Sequence, residues 1–336
     1  MRFSEAARCV PVRAGRLLVK NWKPMIATIG VYTIWGFSFL AAKIGQQASS
    51  PFIILMYRFD IALAIMALIG LLKRPRIRLK GRNIKGLLSL GLCEPVIYFI
   101  GEQYGMKHTN SAFTGVMIAV IPIVTLWMTA VFLKERPTKP QWLFSFLSIA
   151  GVAAITVMAG GDGQIKPVGV MLLSVAVISG SAYSVISRGI SDQFTAFERS
   201  FIMQLMGAVF FTGMALTENR GDLTRLFAPL ANGQFMFAAL YLGLGASVAG
   251  YLLFNYAVAT MPMPSLMAMG NLTVVLSVLA GVVFLNEPFS PGAFGALVVI
   301  IVGIWGVQKS SPLGHASENP KGLIQEAAQE IPPSGH

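Results

Sequence analysis

The sequence predicts an all-α membrane protein with ten transmembrane helices arranged as two inverted five-helix repeats. Three observations predict it. Of the 336 residues, 55% are hydrophobic and only 12% are charged, against roughly 25% charged in soluble domains. Apolar runs long enough to span a bilayer, about 20 residues as a helix, recur ten times along the chain. The second half also echoes the first at a constant offset.

The chain opens with a basic segment, residues 1–23, expected in the cytoplasm. The apolar run that follows, Met25 to Ala42, is long for a signal-peptide core, and no A-x-A-like cleavage site comes after it. It reads as the first span, retained in the mature protein. The first repeat, 24–159, holds spans at 24–45, 52–72, 84–105, 112–133 and 141–159. The second, 167–308, holds spans at 167–187, 197–216, 234–259, 265–285 and 290–308. Connections are short except for Thr217 to Gly233. The tail, 309–336, is polar and contains proline, the composition of a disordered segment.

Lysine and arginine placement sets the orientation. With the N-terminus inside, the cytoplasmic segments hold 20 basic residues, the outer ones 5, and Arg58 lies within a span. This is the positive-inside bias, and it puts both termini in the cytoplasm. It also accounts for most of the formal charge of +12 without a nucleic-acid partner.

Shifting the chain by 152 residues superposes LGL at 90–92 on LGL at 242–244, Tyr104 on Tyr256, VFLKE at 131–135 on VFLNE at 283–287, and Gly151 on Gly303. Five spans per copy is an odd number, so the second copy enters the membrane upside down. The first VFLxE is flanked by Lys134, Arg136 and Lys139, and the second by no basic residue, as inversion requires. Inverted repeats are a recurring plan of secondary transporters, with the substrate site near the bilayer midplane.

The first span, TIGVYTIWGFSFLAAK at 28–43, the Arg58-bearing second span, Pro122 in the fourth, and the paired KERPT and NEPFS strings together resemble the EamA type of the drug/metabolite transporter (DMT) superfamily. The resemblance covers roughly residues 25–308. It implies alternating-access export of amino acids or other metabolites from a bacterial cytoplasmic (inner) membrane. The chain departs from the family pattern at Glu94 and Glu102, where members commonly carry apolar or small residues.

Those two carboxylates are the main site candidates, because an ionisable group inside a span is a functional hypothesis by default. Glu94 falls near the middle of the third span. Glu102 falls towards its outer end, within reach of the interface. Eight residues are about 80° of rotation and about 12 Å of rise, so both can border one cavity. Pro95 removes a helix hydrogen bond and predicts a kink beside Glu94. Arg58 enters at a depth that suits an ion pair with Glu102, and Asp60 is a third acidic candidate for a gate. Gly101 and Gly105, in GxxxG spacing, favour close helix packing. From Leu226 to Asn286 the second half has no Asp, Glu, Lys, Arg or His, so its share of a site is neutral or aromatic. Asn271 and Tyr183 are its candidates. Tyr32 and Trp35 share a face of the first span with Phe39, and Tyr98 lies one turn beyond Glu94. Aromatic faces beside a carboxylate suit an amine.

The function these residues predict is secondary transport of a small polar or amine-bearing metabolite, with protons as a second partner and lipid as the solvent. The alternatives are a lipid-intermediate flippase on the same fold and a membrane-embedded enzyme. The enzyme lacks its usual signature: the three histidines are scattered, the two cysteines are isolated, and no metal or cofactor motif is present. The cluster AGGDGQ at 159–164 reads as a turn.

Overall fold

In lipid every backbone N–H and C=O must be satisfied within the protein, and helices do this segment by segment. The structure, a computed structural model, is accordingly all-α over its described residues. These are 22–73, 81–118, 120–132, 165–260, 269–285 and 291–310, with a scatter in 138–154 and at 266. The helices are α1 (Trp22–Ala48), α2 (Pro51–Lys73), α3 (Ile84–Lys107), α4 (Ser111–Ile118) and α5 (Ile121–Phe132). After them come α6 (Pro167–Gly189), α7 (Ala196–Glu218), α8 (Leu223–Phe227), α9 (Gly233–Thr260), α10 (Asn271–Leu285) and α11 (Pro291–Lys309). Among the described residues, seven helices are long and apolar enough to cross a membrane. The predicted fourth span is the pair α4 and α5. The predicted fifth span, 141–159, the basic N-terminal segment and the tail lie outside the described residues, apart from isolated positions.

Helix starts follow capping chemistry. Thr195 and Glu198 form a reciprocal capping box at α7. Asn83 caps α3 and Asn232 caps α9 through their side-chain oxygens, while Pro51 and Pro167 occupy helix starts, where a missing N–H costs nothing. The long connection 217–233, read from sequence only as a loop, is folded. It contains α8, capped by Asp222, and a 3₁₀ turn, Ala228–Ala231.

Two helices carry π segments at matching places. In α3 the residues Leu92–Ile97 form a π-helical segment in which Glu94 has φ −142° and ψ 114°. Proline excludes the α region for the residue before it, so Pro95 drives Glu94 out of the helix. In α9 the π segment is Tyr241–Ala249, with no proline. At the offset of 152, Ile97 corresponds to Ala249, so both π segments end at equivalent positions. In each segment a carbonyl accepts from a side chain of a neighbouring helix. The Ser179 hydroxyl of α6 donates to the Cys93 carbonyl at 2.7 Å, and the Trp35 indole N–H of α1 donates to the Ala246 carbonyl at 3.1 Å.

Packing crosses between the halves. α1 packs on α9 and α10, α6 packs on α3 and α5, and α2 packs on α7. Small residues permit the closest approaches. A Cβ on Gly101 would stand 2.6 Å from the Leu172 carbonyl oxygen, and one on Gly105 would meet Leu173 at 2.7 Å. The GxxxG pair is therefore the seam between α3 and α6. Large apolar side chains such as Leu71, Val131, Val209, Phe237 and Phe284 point outward, as a lipid-facing surface requires. α1, α2, α3, α6 and α9 enclose the centre.

Candidate functional site

At that centre is a cavity of about 90 Å³, roomy enough for several water molecules. Its walls carry Arg58 from α2 and Glu94, Tyr98 and Glu102 from α3, together with Tyr32 and Trp35 from α1. Tyr183 of α6 and Tyr251 and Phe254 of α9 close it. Pro122 of α5 and Thr273 of α10 lie at its edge.

The π segment presents Glu94 to this space. The side chain is buried and accepts a short hydrogen bond from the Tyr251 hydroxyl. Glu102 is buried as well, not exposed at the membrane interface as its sequence position suggests. The reason is its neighbour: the Gln103 amide donates to the Glu102 carboxylate at 2.6 Å, and Gln46 of α1 donates to Gln103 Oε1 at 2.9 Å. This bridge ties α1 to α3 beside Glu102.

The direct Arg58–Glu102 pair expected from sequence is not formed. Among the described residues the ion pairs are Arg82–Glu198 and Arg225–Asp222. Arg58 is held another way. Its Nε donates to the Ser247 hydroxyl at 2.8 Å, and its Cζ lies 4.1 Å from the centre of the Phe99 ring and 5.6 Å from that of Phe59. Cation–π contact of this kind compensates part of the desolvation of the charge.

Opposite the charges stands an aromatic wall. Trp35 lies 5.0 Å from Phe254 and 5.6 Å from Tyr251 between ring centres, and Tyr183 stacks on Phe254 at 5.7 Å. The Trp35 N–H is committed to Ala246, which fixes the indole. The wall is therefore preorganised.

From Tyr183 a polar chain leads away from the cavity. The Tyr183 and Ser187 hydroxyls both donate to Asn255 Oδ1, at 3.2 and 3.0 Å, and Asn255 Nδ2 donates to Ser200 at 3.0 Å. Arg199 ends the chain, donating to the Ser187 carbonyl at 3.0 Å and the Asn255 carbonyl at 2.7 Å. The sequence count placed Arg199 in a cytoplasmic connection. It is instead wholly buried in the first turns of α7, where α6 and α9 supply it with acceptors.

Seven of the nine sequence candidates thus border one cavity: Glu94, Glu102, Arg58, Tyr32, Trp35, Tyr98 and Tyr183. Asp60 stands apart, accepting from the Thr212 hydroxyl at 3.0 Å. The Asn271 side chain lies outside the described residues. Tyr251, Ser247 and Phe254 were missed. Their signal was faint: a tyrosine, a serine and a phenylalanine in one apolar run, distinguished only by the matching register with the third span. Among the described residues no group of three His, Cys, Asp or Glu side chains can hold a metal ion.

The EamA-like transporter family model matches residues 22–157 and again 167–308. The chain belongs to the EamA-like transporter family. It is similar to the uncharacterized transporter YcxC of Bacillus subtilis, 32% identical over 84% of this chain and 91% of that one. The uncharacterized inner membrane transporter YedA of Escherichia coli is 26% identical over 90% of this chain and 96% of its own. A "Probable terminal-alkyne amino-acid exporter" of Streptantibioticus cattleyicolor is 26% identical over 84% of this chain and 94% of its own. A protein of known crystal structure superposes with a TM-score of 0.59 at 18% identity, covering 86% of this chain and 97% of that one, and shares the fold. As an EamA-family protein the chain is an integral, multi-pass membrane transporter and not an enzyme.

Proposed function

We propose that the protein exports a small amine-bearing metabolite such as an amino acid by alternating access, with the carboxylate of Glu94 exchanging a proton for the substrate amine. The observation that carries the reading is Glu94 itself, set at a π-helical break, buried, and facing an aromatic wall in the bundle centre. Tyr32, Trp35, Tyr98, Tyr183 and Asn271 contribute the neutral part of the site. The amino-acid class named for the Streptantibioticus relative supports the choice of substrate.

Ten spans in two inverted repeats, 24–159 and 167–308, complete the reading, with a bacterial cytoplasmic membrane as its place and both termini inside. The double family match, the paired π segments and the crossed packing of α1 on α9 and α6 on α3 support the inversion. The test is flux of radiolabelled amino acids in proteoliposomes. The purified protein is expected to move at least one of them, and Glu94→Gln, though folded and inserted, is expected not to. Undiminished flux in the variant would sink the assignment of Glu94.

A further inference from the structure

Positions related by the offset of 152 residues line the cavity in pairs: Phe99 and Tyr251, Glu102 and Phe254, Ile121 and Thr273. The residue after the second pair is an amide in both halves, Gln103 of α3 and Asn255 of α9. Both are buried, and a buried amide needs hydrogen-bond partners. Each finds them on other helices of its own half. Gln46 of α1 donates to the Gln103 backbone carbonyl at 3.1 Å and to its Oε1 at 2.9 Å. The Asn255 backbone carbonyl accepts from Arg199 of α7 at 2.7 Å, and its Oδ1 accepts from Tyr183 and Ser187 of α6 at 3.2 and 3.0 Å. Equivalent residues thus use the same two acceptors. They do so at opposite ends of the bundle. Gln46 lies in the last turn of α1, at the end where Ser50 meets Glu218 and α8 follows α7. Ser187 and Arg199 lie at the other end, where α6 finishes and α7 begins.

We infer that Gln103 and Asn255 are the two gate residues of the transport cycle, Gln103 closing the cavity towards the α8 end and Asn255 towards the opposite end, with the Gln103 gate the first to open in the empty protein. This rests on the proposed alternating access and names the contacts that alternate. The order follows from the bonds. The Asn255 latch ties three helices, includes the Arg199 guanidinium, and adds Ser200 through Asn255 Nδ2 at 3.0 Å. The Gln103 latch ties two helices through a neutral amide, and Lys43 of α1 reaches the Met106 carbonyl only at 3.3 Å. Charge-assisted hydrogen bonds of about 2.7–2.9 Å are roughly twice as strong as neutral ones. Each gate also touches the cavity wall: Gln103 donates to Glu102 at 2.6 Å, and Asn255 accepts from Tyr183. A substrate that engages either wall residue therefore acts on the gate beside it.

A thiol in the cavity tests this without a substrate. Ser38 lines the cavity, and Ser38→Cys with Cys9 and Cys93 replaced by serine is the parent protein. A membrane-impermeant maleimide is applied to intact cells and to inverted membrane vesicles, and the labelling rates from the two faces are compared. The parent is expected to label faster from the α8 face. Gln103→Ala is expected to raise the rate from that face alone, by about twofold to tenfold for each hydrogen bond lost. Asn255→Ala is expected to raise the rate from the opposite face alone. Gln46→Ala and Ser187→Ala remove one donor each and repeat the comparison where an amide variant fails to fold. A merely structural role would lower stability without selecting a face. A gain at both faces, or at neither, in folded variants would overturn the assignment of the gates. A parent that labels faster from the face opposite α8 would overturn the order of opening. Face-selective labelling in a protein that moves no amino acid would leave the gates standing while the proposed substrate falls. Amino-acid flux without face-selective labelling would remove the gates alone.

Discussion

The hydroxyl of Tyr251 on α9 donates a hydrogen bond to the carboxylate of Glu94 on α3, joining the two helices that carry π segments. Both residues are buried, and 157 residues of chain separate them. The contact ties the displaced residue of α3, Glu94, to the turn of α9 that follows its π segment.

Tyr251→Phe removes the donor and leaves a buried acceptor unsatisfied, which costs about 1–3 kcal/mol. The same change in a Glu94→Gln background is expected to cost less, because a neutral amide accepts a weaker bond. A double-mutant cycle read by thermal unfolding in detergent measures the difference. Equal losses in both backgrounds would mean that the carboxylate accepts no stronger a bond than the amide.

The α3–α6 seam gives a second expectation. A Cβ on Gly101 would press on the Leu172 carbonyl oxygen at 2.6 Å and the Ala176 nitrogen at 3.0 Å, and neither backbone atom can rotate aside. Gly101→Ala is therefore expected to destabilise by about 1–3 kcal/mol. Gly213, on the outward face of α7, has nothing within 4 Å of its Cβ position. Gly213→Ala is expected to be neutral or to stabilise by up to about 1 kcal/mol through helix propensity. Comparing the two melting temperatures checks both statements, and a Gly101→Ala protein as stable as the Gly213→Ala one would refute the seam.

Much of this was legible before any coordinates. Glu94 and Pro95 in sequence announce the break in α3, since proline dictates the backbone of the residue before it. The two glycines announce the seam. Depth along a span placed both glutamates near one cavity. The remainder depends on packing, which local sequence does not encode. The π segment in α9 has no proline to mark it. Arg58 lies at a depth that suits Glu102, but its side chain turns to Ser247 of α9. Arg199 stands between Glu198 and a serine in what reads as a solvated connection, and only the convergence of α6, α7 and α9 reveals it as buried.

Orientation can be read by labelling. Leu223 opens α8 and is exposed. The chain has two cysteines, Cys9 and Cys93, which can be replaced by serine to give a silent background. Leu223→Cys is then expected to react with a membrane-impermeant maleimide in intact cells, because the bias of 20 basic residues to 5 places this connection outside. Labelling that needs permeabilised cells would reverse the proposed topology.

The last expectation concerns proton exchange at Glu94. Its counterpart in the second half, Ala246, cannot ionise, so the cavity has acid on one side only. One carboxylate cannot hold a proton and a substrate ammonium together, so the two compete for Glu94. Acidifying the face from which substrate binds is therefore expected to raise the apparent KM there. A proton gradient directed inward is expected to drive substrate outward. Glu94→Gln cannot release a proton and is expected to lose both effects, and with them net flux against a gradient. Glu94→Asp keeps the charge but draws it back from the cavity and from the Tyr251 hydroxyl, so it is expected to retain the pH dependence with a higher KM. Proteoliposome flux measured across a pH range for wild type and both variants separates these outcomes. Flux in Glu94→Gln with the wild-type pH dependence would transfer proton exchange to another group, and Glu102 is the remaining carboxylate on the cavity wall.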